Sequence, residues 1–162
     1  LRRMVAPVER DPGLAFADDL KTEERRRSLP VIHCRECGLT GWTGTMRDAD
    51  TRVNPDLQTF YNAFFANSPH VVFLFPEERS TRSGQPGFPT YLCSECLEVQ
   101  RLAEPRECGN CGAGFDRLIP VWVPETSRTV TLASGHQRRE GLHDCPSCGG
   151  HNSLTILGSS RH

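Results

Sequence analysis

Lysine is nearly missing from this 162-residue chain: Lys21 is the only one, and arginine supplies the rest of the basic charge. That skew points to genome base composition rather than to phosphate recognition. Long apolar runs are missing too. The longest, Val71 to Phe75, is strand-sized, far short of the ~20 residues a membrane-crossing helix needs. Residues 1–29 are polar and arginine-rich, with no apolar stretch of the secretory-signal kind. The expected setting is soluble and cytoplasmic, with no membrane partner. Apolar residues make up 36% of the chain, beside 14 glycines and 12 prolines, which leaves little for a large core. Such a chain is partly disordered or held by covalent or metal staples.

Catalytic signatures are also lacking. There is no phosphate-binding Gly-x-x-x-x-Gly-Lys loop, no Gly-x-Ser-x-Gly elbow, and no His-x-Glu ahead of a cysteine pair. No small-molecule substrate is indicated, and this segment by itself is expected to catalyse nothing.

What the chain does have is eight cysteines in four pairs: Cys34 and Cys37, Cys93 and Cys96, Cys108 and Cys111, Cys145 and Cys148. Each pair encloses two residues, and there is no ninth cysteine. A secreted disulfide scaffold has irregular spacings; regular Cys-x-x-Cys pairs read as zinc ligands. Redox pairs need a helix N-terminus to stabilise the thiolate. Here Gly38, Gly112 and Gly149 directly follow three of the pairs, which suits a tight knuckle at positive φ. Four knuckles make two tetrahedral sites for two Zn2+, each with four thiolates at about 2.3 Å. All-sulfur sites are closed and therefore structural rather than catalytic. Eight thiolates and two dications take the formal charge from −1 to −5, so no global pull on nucleic acid is expected. Basic patches at Arg25–Arg27, Arg79 with Arg82, and Arg138–Arg139 remain.

Spacing alone permits three ways of pairing the knuckles. Eleven residues separate Cys96 from Cys108, a suitable length for a short zinc ribbon over residues 90–115, and loop closure favours this local pairing. The expected arrangement is nested, with Cys34, Cys37, Cys145 and Cys148 as site 1 and Cys93, Cys96, Cys108 and Cys111 as site 2. The sequential alternative joins Cys34/Cys37 to Cys93/Cys96 and Cys108/Cys111 to Cys145/Cys148. Of the six histidines, His33 and His143 lie near knuckles and are candidates to donate toward sulfur. Trp42 is expected to cover a metal site rather than stack on a base.

The expected fold is small α+β, with zinc-ribbon-like β-hairpins around the two sites and one or two helices. Residues 1–29 read as a linker or docking helix, with a short helix over Leu14 to Arg27, and residues 30–162 as the zinc-binding module. Asn54 as N-cap, Pro55 and Asp56 open the best helix, whose apolar face is Leu57, Phe60, Tyr61, Phe64 and Phe65. Strands are expected at Val71–Phe75, Thr90–Leu92, Arg117–Val123, Arg128–Leu132 and Ser153–Leu157. Residues 76–89 and Ser134–Gly141 read as polar loops. The chain begins at Leu1 and stops after the last strand, as a piece of something longer would.

Two stretches carry a family resemblance: Leu29-Pro-Val-Ile-His-Cys-Arg-Glu-Cys-Gly-Leu-Thr-Gly-Trp42 and Cys145-Pro-Ser-Cys-Gly-Gly-His-Asn-Ser-Leu-Thr-Ile-Leu-Gly158. They resemble the cysteine-rich zinc-binding segment of large bacterial DEAD/DEAH-box-like superfamily 2 helicases. In that family the segment lies between motor domains, and the strand after the last knuckle leads back into the motor. The resemblance implies an accessory module of an ATP-dependent DNA helicase or translocase, with the motor domains of the parent chain, and DNA, as partners. The ATP-binding motifs of such a motor are absent, so none of their residues carries over. Competing readings are a zinc-ribbon adaptor for another protein and a thiol–disulfide enzyme.

Overall fold

Val71–Pro76 (β5) is apolar at nearly every position because both of its faces are covered. In the computed structural model of the chain, Val71, Phe73 and Phe75 enter one core and Leu74 the other, the period-2 alternation of a strand. The structure describes residues 2–9, 15–16, 20–21, 24, 27–47, 49–76, 90–101, 107–124, 127–156 and 158–159. Thr40–Thr45 (β4) pairs antiparallel with one edge of β5, setting Trp42 opposite Leu74, and Leu118–Trp122 (β8) pairs with the other. Beyond β8 lie Thr90–Cys93 (β6) and then Val99–Arg101 (β7).

Beyond β4 lies Ser28–Cys34 (β3), whose outer edge is shared by both ends of the described chain. Arg2–Pro7 (β1) pairs with its first half and Leu154–Ile156 (β11) with its second, so that Cys34 stands opposite Leu154. Gly158–Ser159 (β12) and Ala15–Phe16 (β2) both pair with β1. All these pairings are antiparallel, and together they form a ten-stranded sheet.

One sheet face is packed by Leu29, Val31, Trp42, Leu74, Leu92, Ile119 and Val121 and closed by Val8, Val53 and Leu97. The other face takes Ile32, Phe73, Phe75 and Trp122 against the helix Leu57–Phe65 (α1), which buries Phe60, Tyr61 and Phe64. Each of those three side chains contributes roughly 1.5–3 kcal/mol by leaving water. Among the described residues the structure is mostly antiparallel sheet with α1 packed on it, the small α+β class expected.

Several expectations are corrected in detail. The N-cap of α1 is Asp56, whose carboxylate accepts from the Thr59 amide at 2.9 Å. Asn54 does not cap it: its Oδ1 accepts from the Asp56 amide at 2.9 Å, one position short of the helix, while its own amide donates to Thr45 O. Phe65 is 73% exposed rather than core. Eight residues beyond Leu57 the helix has turned ~80° past two full turns, which carries Phe65 off the buried face. Residues 2–7 are a strand and not a linker, because Val5 and Ala6 are buried and β3 has an edge to be paired. Of the helix expected over 14–27, Ala15–Phe16 is a strand, Glu24 is helical, and most of the rest lies outside the described residues, as do residues 77–89. The loop expected at 134–141 is mostly strand. Ser127–Thr131 (β9) and Gln137–Gly141 (β10) form a two-stranded ribbon, with Gly135 at φ +88° in its turn. Backbone pairing joins its two strands, the Gly141 amide ties it to Asn67 O at 2.8 Å, and Arg138 pairs with Glu140 across 3.9 Å, so it needs no apolar alternation.

Candidate metal centres

All four knuckles share one backbone pattern. The amide of the first cysteine donates five residues ahead: Cys34 to Leu39 O at 2.8 Å, Cys93 to Glu98 O at 2.9 Å, Cys108 to Ala113 O at 2.8 Å, and Cys145 to Gly150 O at 3.0 Å. The residue after the second cysteine donates back to the carbonyl of the first: Gly38, Leu97, Gly112 and Gly149, at 2.9–3.0 Å. That return needs positive φ, and the four values are +80°, +66°, +77° and +76°. Leu97 is the residue that sequence reasoning missed. Only 2% exposed in the core, it tolerates a backbone that disfavours side chains because its burial offsets the cost.

The turn also aims amides at sulfur. Glu36 and Cys37 donate to Cys34 Sγ at 3.3 and 3.4 Å, Glu95 to Cys93 Sγ at 3.4 Å, Asn110 and Cys111 to Cys108 Sγ at 3.4 and 3.5 Å, and Ser147 and Cys148 to Cys145 Sγ at 3.4 and 3.5 Å. Such donors favour a thiolate.

The sulfurs assemble in two groups. Cys34, Cys37, Cys145 and Cys148 form site 1, and Cys93, Cys96, Cys108 and Cys111 form site 2; within each, all sulfurs lie within 4.8 Å of one another. Cys34/Cys37 and Cys93/Cys96, partners in the sequential scheme, are not brought together. Site 1 forms where β3 and β11 lie side by side, and site 2 forms beyond the β6–β7 hairpin. Closest sulfur pairs across site 1 are 3.6 Å apart, Cys34 to Cys148 and Cys37 to Cys145. Across site 2 they are 3.7 Å, Cys93 to Cys111, and 3.5 Å, Cys96 to Cys108. A disulfide would need about 2.05 Å. Four sulfurs at about 2.3 Å from a tetrahedral metal lie about 3.8 Å apart. The spacing therefore fits a metal ion in each group. Among the described residues, no histidine or carboxylate joins either group.

Electrostatics within the groups is uneven. Burial opposes ionisation of Cys34, but Ser153 and the Cys37 and Glu36 amides outweigh it and lower its thiol to about 6. The Gly150 amide favours the Cys148 thiolate, yet desolvation and the neighbouring sulfurs push it up to about 12. In site 2, burial pushes Cys93 up to about 12. Burial also opposes Cys108, where the Cys111 and Asn110 amides prevail and lower it to about 7. One sulfur of each group ionises readily and another resists, so four thiolates gather only around a cation. The arrangement is suited to a dication.

Neighbouring polar groups complete the sites. Ser153 Oγ lies 3.2 Å from Cys34 Sγ and 3.0 Å from Gly150 O. Gln100 Nε2 donates to Cys108 Sγ at 3.2 Å. Arg35 donates to Asn152 O, from knuckle 1 toward the segment after knuckle 4, and Arg52 to Cys96 O, each at 3.0 Å. No local signal marks these contacts, because their partners are remote in sequence. The expected donors, His33 and His143, do not serve: His33 Nδ1 and His143 Nε2 hydrogen-bond to no described group. His143 instead stacks on Phe64 at 4.3 Å, and burial holds its imidazole below the ordinary range. Trp42 covers no sulfur of site 1. Its face of β4 carries it into the opposite core, 2% exposed, where no base can stack on it.

No protein-family model, curated protein or solved structure matches the chain. No described helix is long and apolar enough to cross a membrane.

Proposed function

We propose that each sulfur group holds one Zn2+ in a closed, structural site, and that the chain is a zinc-ribbon-based accessory module of an ATP-dependent DNA helicase or translocase. One observation carries the metal reading: two sets of four sulfurs at tetrahedral spacing, with every ligand position filled by cysteine. The helicase part rests on the resemblance at residues 29–42 and 145–158. It gains support from their position, since the two stretches are the two halves of site 1. The module braces the motor domains through that clamp and touches DNA through the β9–β10 ribbon. Arg138 and Arg139 lie on that ribbon, Arg138 with 63% of its side chain exposed, and Thr129 and Gln137 add further hydrogen-bonding groups.

A second reading, an adaptor for another protein with no nucleic-acid role, is favoured by Phe65, a large apolar side chain exposed on α1. Metal analysis of the purified chain, with titration of labelled duplex DNA at low salt, separates these readings. Two zincs per chain and weak, salt-sensitive binding that drops in an R138A/R139A variant are expected. One zinc or none sinks the metal reading; two zincs with no DNA binding at any salt leaves the adaptor.

A further inference from the structure

Both sulfur groups share a device that the knuckles alone do not explain. In each, the segment leaving one knuckle sends a side chain across to the first cysteine of the opposite knuckle. Ser153, five residues after Cys148, reaches Cys34; Gln100, four residues after Cys96, reaches Cys108. The second contact is the more constrained. Gln100 sits on β7 with its backbone held opposite Tyr91 of β6. Its Oε1 accepts from the Gly109 amide at 2.9 Å while its Nε2 donates to Cys108 Sγ at 3.2 Å. The Gly109 amide requires an acceptor, which fixes the amide orientation and leaves the NH2 facing sulfur.

Cys108 Sγ thus receives three N–H groups. Those of Asn110 and Cys111 belong to its own knuckle. Among the described residues, Gln100 supplies the one N–H that reaches this sulfur from the other half of the site, so its bond ties the two halves through a ligand atom without the metal. A donor on a thiolate spreads its charge, makes the sulfur a poorer target for protons and electrophiles, and fixes the direction of its lone pair.

We propose that Gln100 is a positioning residue of site 2. Clamped at both ends, its amide holds Cys108 Sγ in ligand geometry and slows loss of the bound metal. The inference rests on the zinc reading above. A glutamine is required rather than any side chain of that length, since the position needs an acceptor toward Gly109 and a donor toward sulfur on one planar group.

That requirement makes Q100E the discriminating variant. A carboxylate still accepts from Gly109 but cannot donate to sulfur, and it sets a negative charge against the thiolate. Q100M has similar length and makes neither bond. The full chain is loaded with zinc, and release to an excess of chromogenic chelator is followed in wild type and both variants. Expected is one of the two zincs leaving about 10- to 100-fold faster in Q100E, less accelerated in Q100M, with the other zinc at the wild-type rate in both. In the cobalt-substituted protein, loss of the donor moves part of the sulfur-to-cobalt charge-transfer band to longer wavelength. A role confined to bracing Gly109 gives the reverse order, with Q100E like wild type and Q100M fast, and overturns the proposal. So does an unmoved band with unchanged release. Q100E that purifies with a single zinc is the expected result at its limit, provided Q100M holds both and loses one faster than wild type. A chain that binds no zinc at either group overturns the zinc reading as well; two zincs with indifferent variants overturn this inference alone.

Discussion

The residue after each second cysteine offers the sharpest test of how the knuckles are built. At Gly38, Gly112 and Gly149 the backbone lies at φ +76° to +80°, and an added Cβ would meet nothing within 4 Å. Replacement by alanine therefore carries no clash. It carries the left-handed penalty of about 1–2 kcal/mol, reduced by the ~0.4–1 kcal/mol gained from stiffening the unfolded chain. The expected net loss is about 0.5–1 kcal/mol at each position. Leu97 occupies the same backbone at φ +66°, but with a buried side chain. Leu97→Ala keeps the backbone penalty and empties a core position, for a loss of about 2–5 kcal/mol. Leu97→Gly removes one more methyl, worth about 0.8 kcal/mol, and loosens the unfolded chain by a similar amount. It also sheds the left-handed penalty, which cancels both. At an ordinary buried site alanine would beat glycine by about 1.5 kcal/mol; here the two should match within about 0.5 kcal/mol. Urea unfolding at fixed excess zinc measures all five variants. Alanine exceeding glycine by more than about 1 kcal/mol at position 97 would refute the account, as would neutral alanines at the three glycines.

Other outcomes follow from the same geometry. Cysteine-to-serine changes at Cys34 and Cys37 should destabilise more than those at Cys93 and Cys96. Site 2 joins residues 18 apart and can keep its metal in the unfolded chain, whereas site 1 joins residues 114 apart and cannot. The difference in closure entropy is about 1.6 kcal/mol, and equal unfolding free energies for the two double variants would count against it. Zinc affinity should fall as pH falls, because protons and metal compete for the same sulfurs. With Cys93 and Cys148 pushed up to about 12, zinc binding near neutral pH must release protons, which calorimetry in two buffers of different ionisation enthalpy detects. Proton uptake would contradict the sign. Phe64→Ala should cost about 3–5 kcal/mol and Phe65→Ala close to nothing, although the two are neighbours on one helix; similar melting shifts would show that the buried face of α1 is misassigned.

What could be read from the residues was what is local. A Cys-x-x-Cys knuckle is defined within six residues, and three of its four instances carry a glycine at the one position that needs positive φ. Strands such as β5 and β8 announce themselves by apolar runs, since both of their faces are buried. The rest depends on what the chain meets in space. Leu97 is hidden because burial makes a leucine acceptable where the pattern asks for glycine. β10 is hidden because Gln137–Gly141 buries almost nothing and is held by its neighbour's backbone. Trp42 was misplaced because being near a cysteine in sequence says nothing about which sheet face a side chain takes. Gln100 and Ser153 carry no signal, since each acts on a cysteine belonging to another knuckle.

Site 1 is where the separate parts of the chain become one structure. β3 pairs with β1 along its first half and with β11 along its second, so residues near both ends meet on one strand. Hydrogen bonds between short strands do not decide this alone, because three residues of β11 add little to an edge that water can also satisfy. The knuckles do more. Cys34 ends β3, Cys148 lies six residues before β11, and Ser153 and Arg35 bridge the gap between them. A metal held by these four sulfurs fixes β11 in register, β11 leads into β12, and β12 pairs with β1. Loss of the ion at site 1 is therefore expected to loosen β11, β12 and β1 together while the β6–β8 region stays protected. Hydrogen exchange on a chain with both Cys34 and Cys37 changed to serine would show that pattern, and uniform loss of protection across the sheet would refute it.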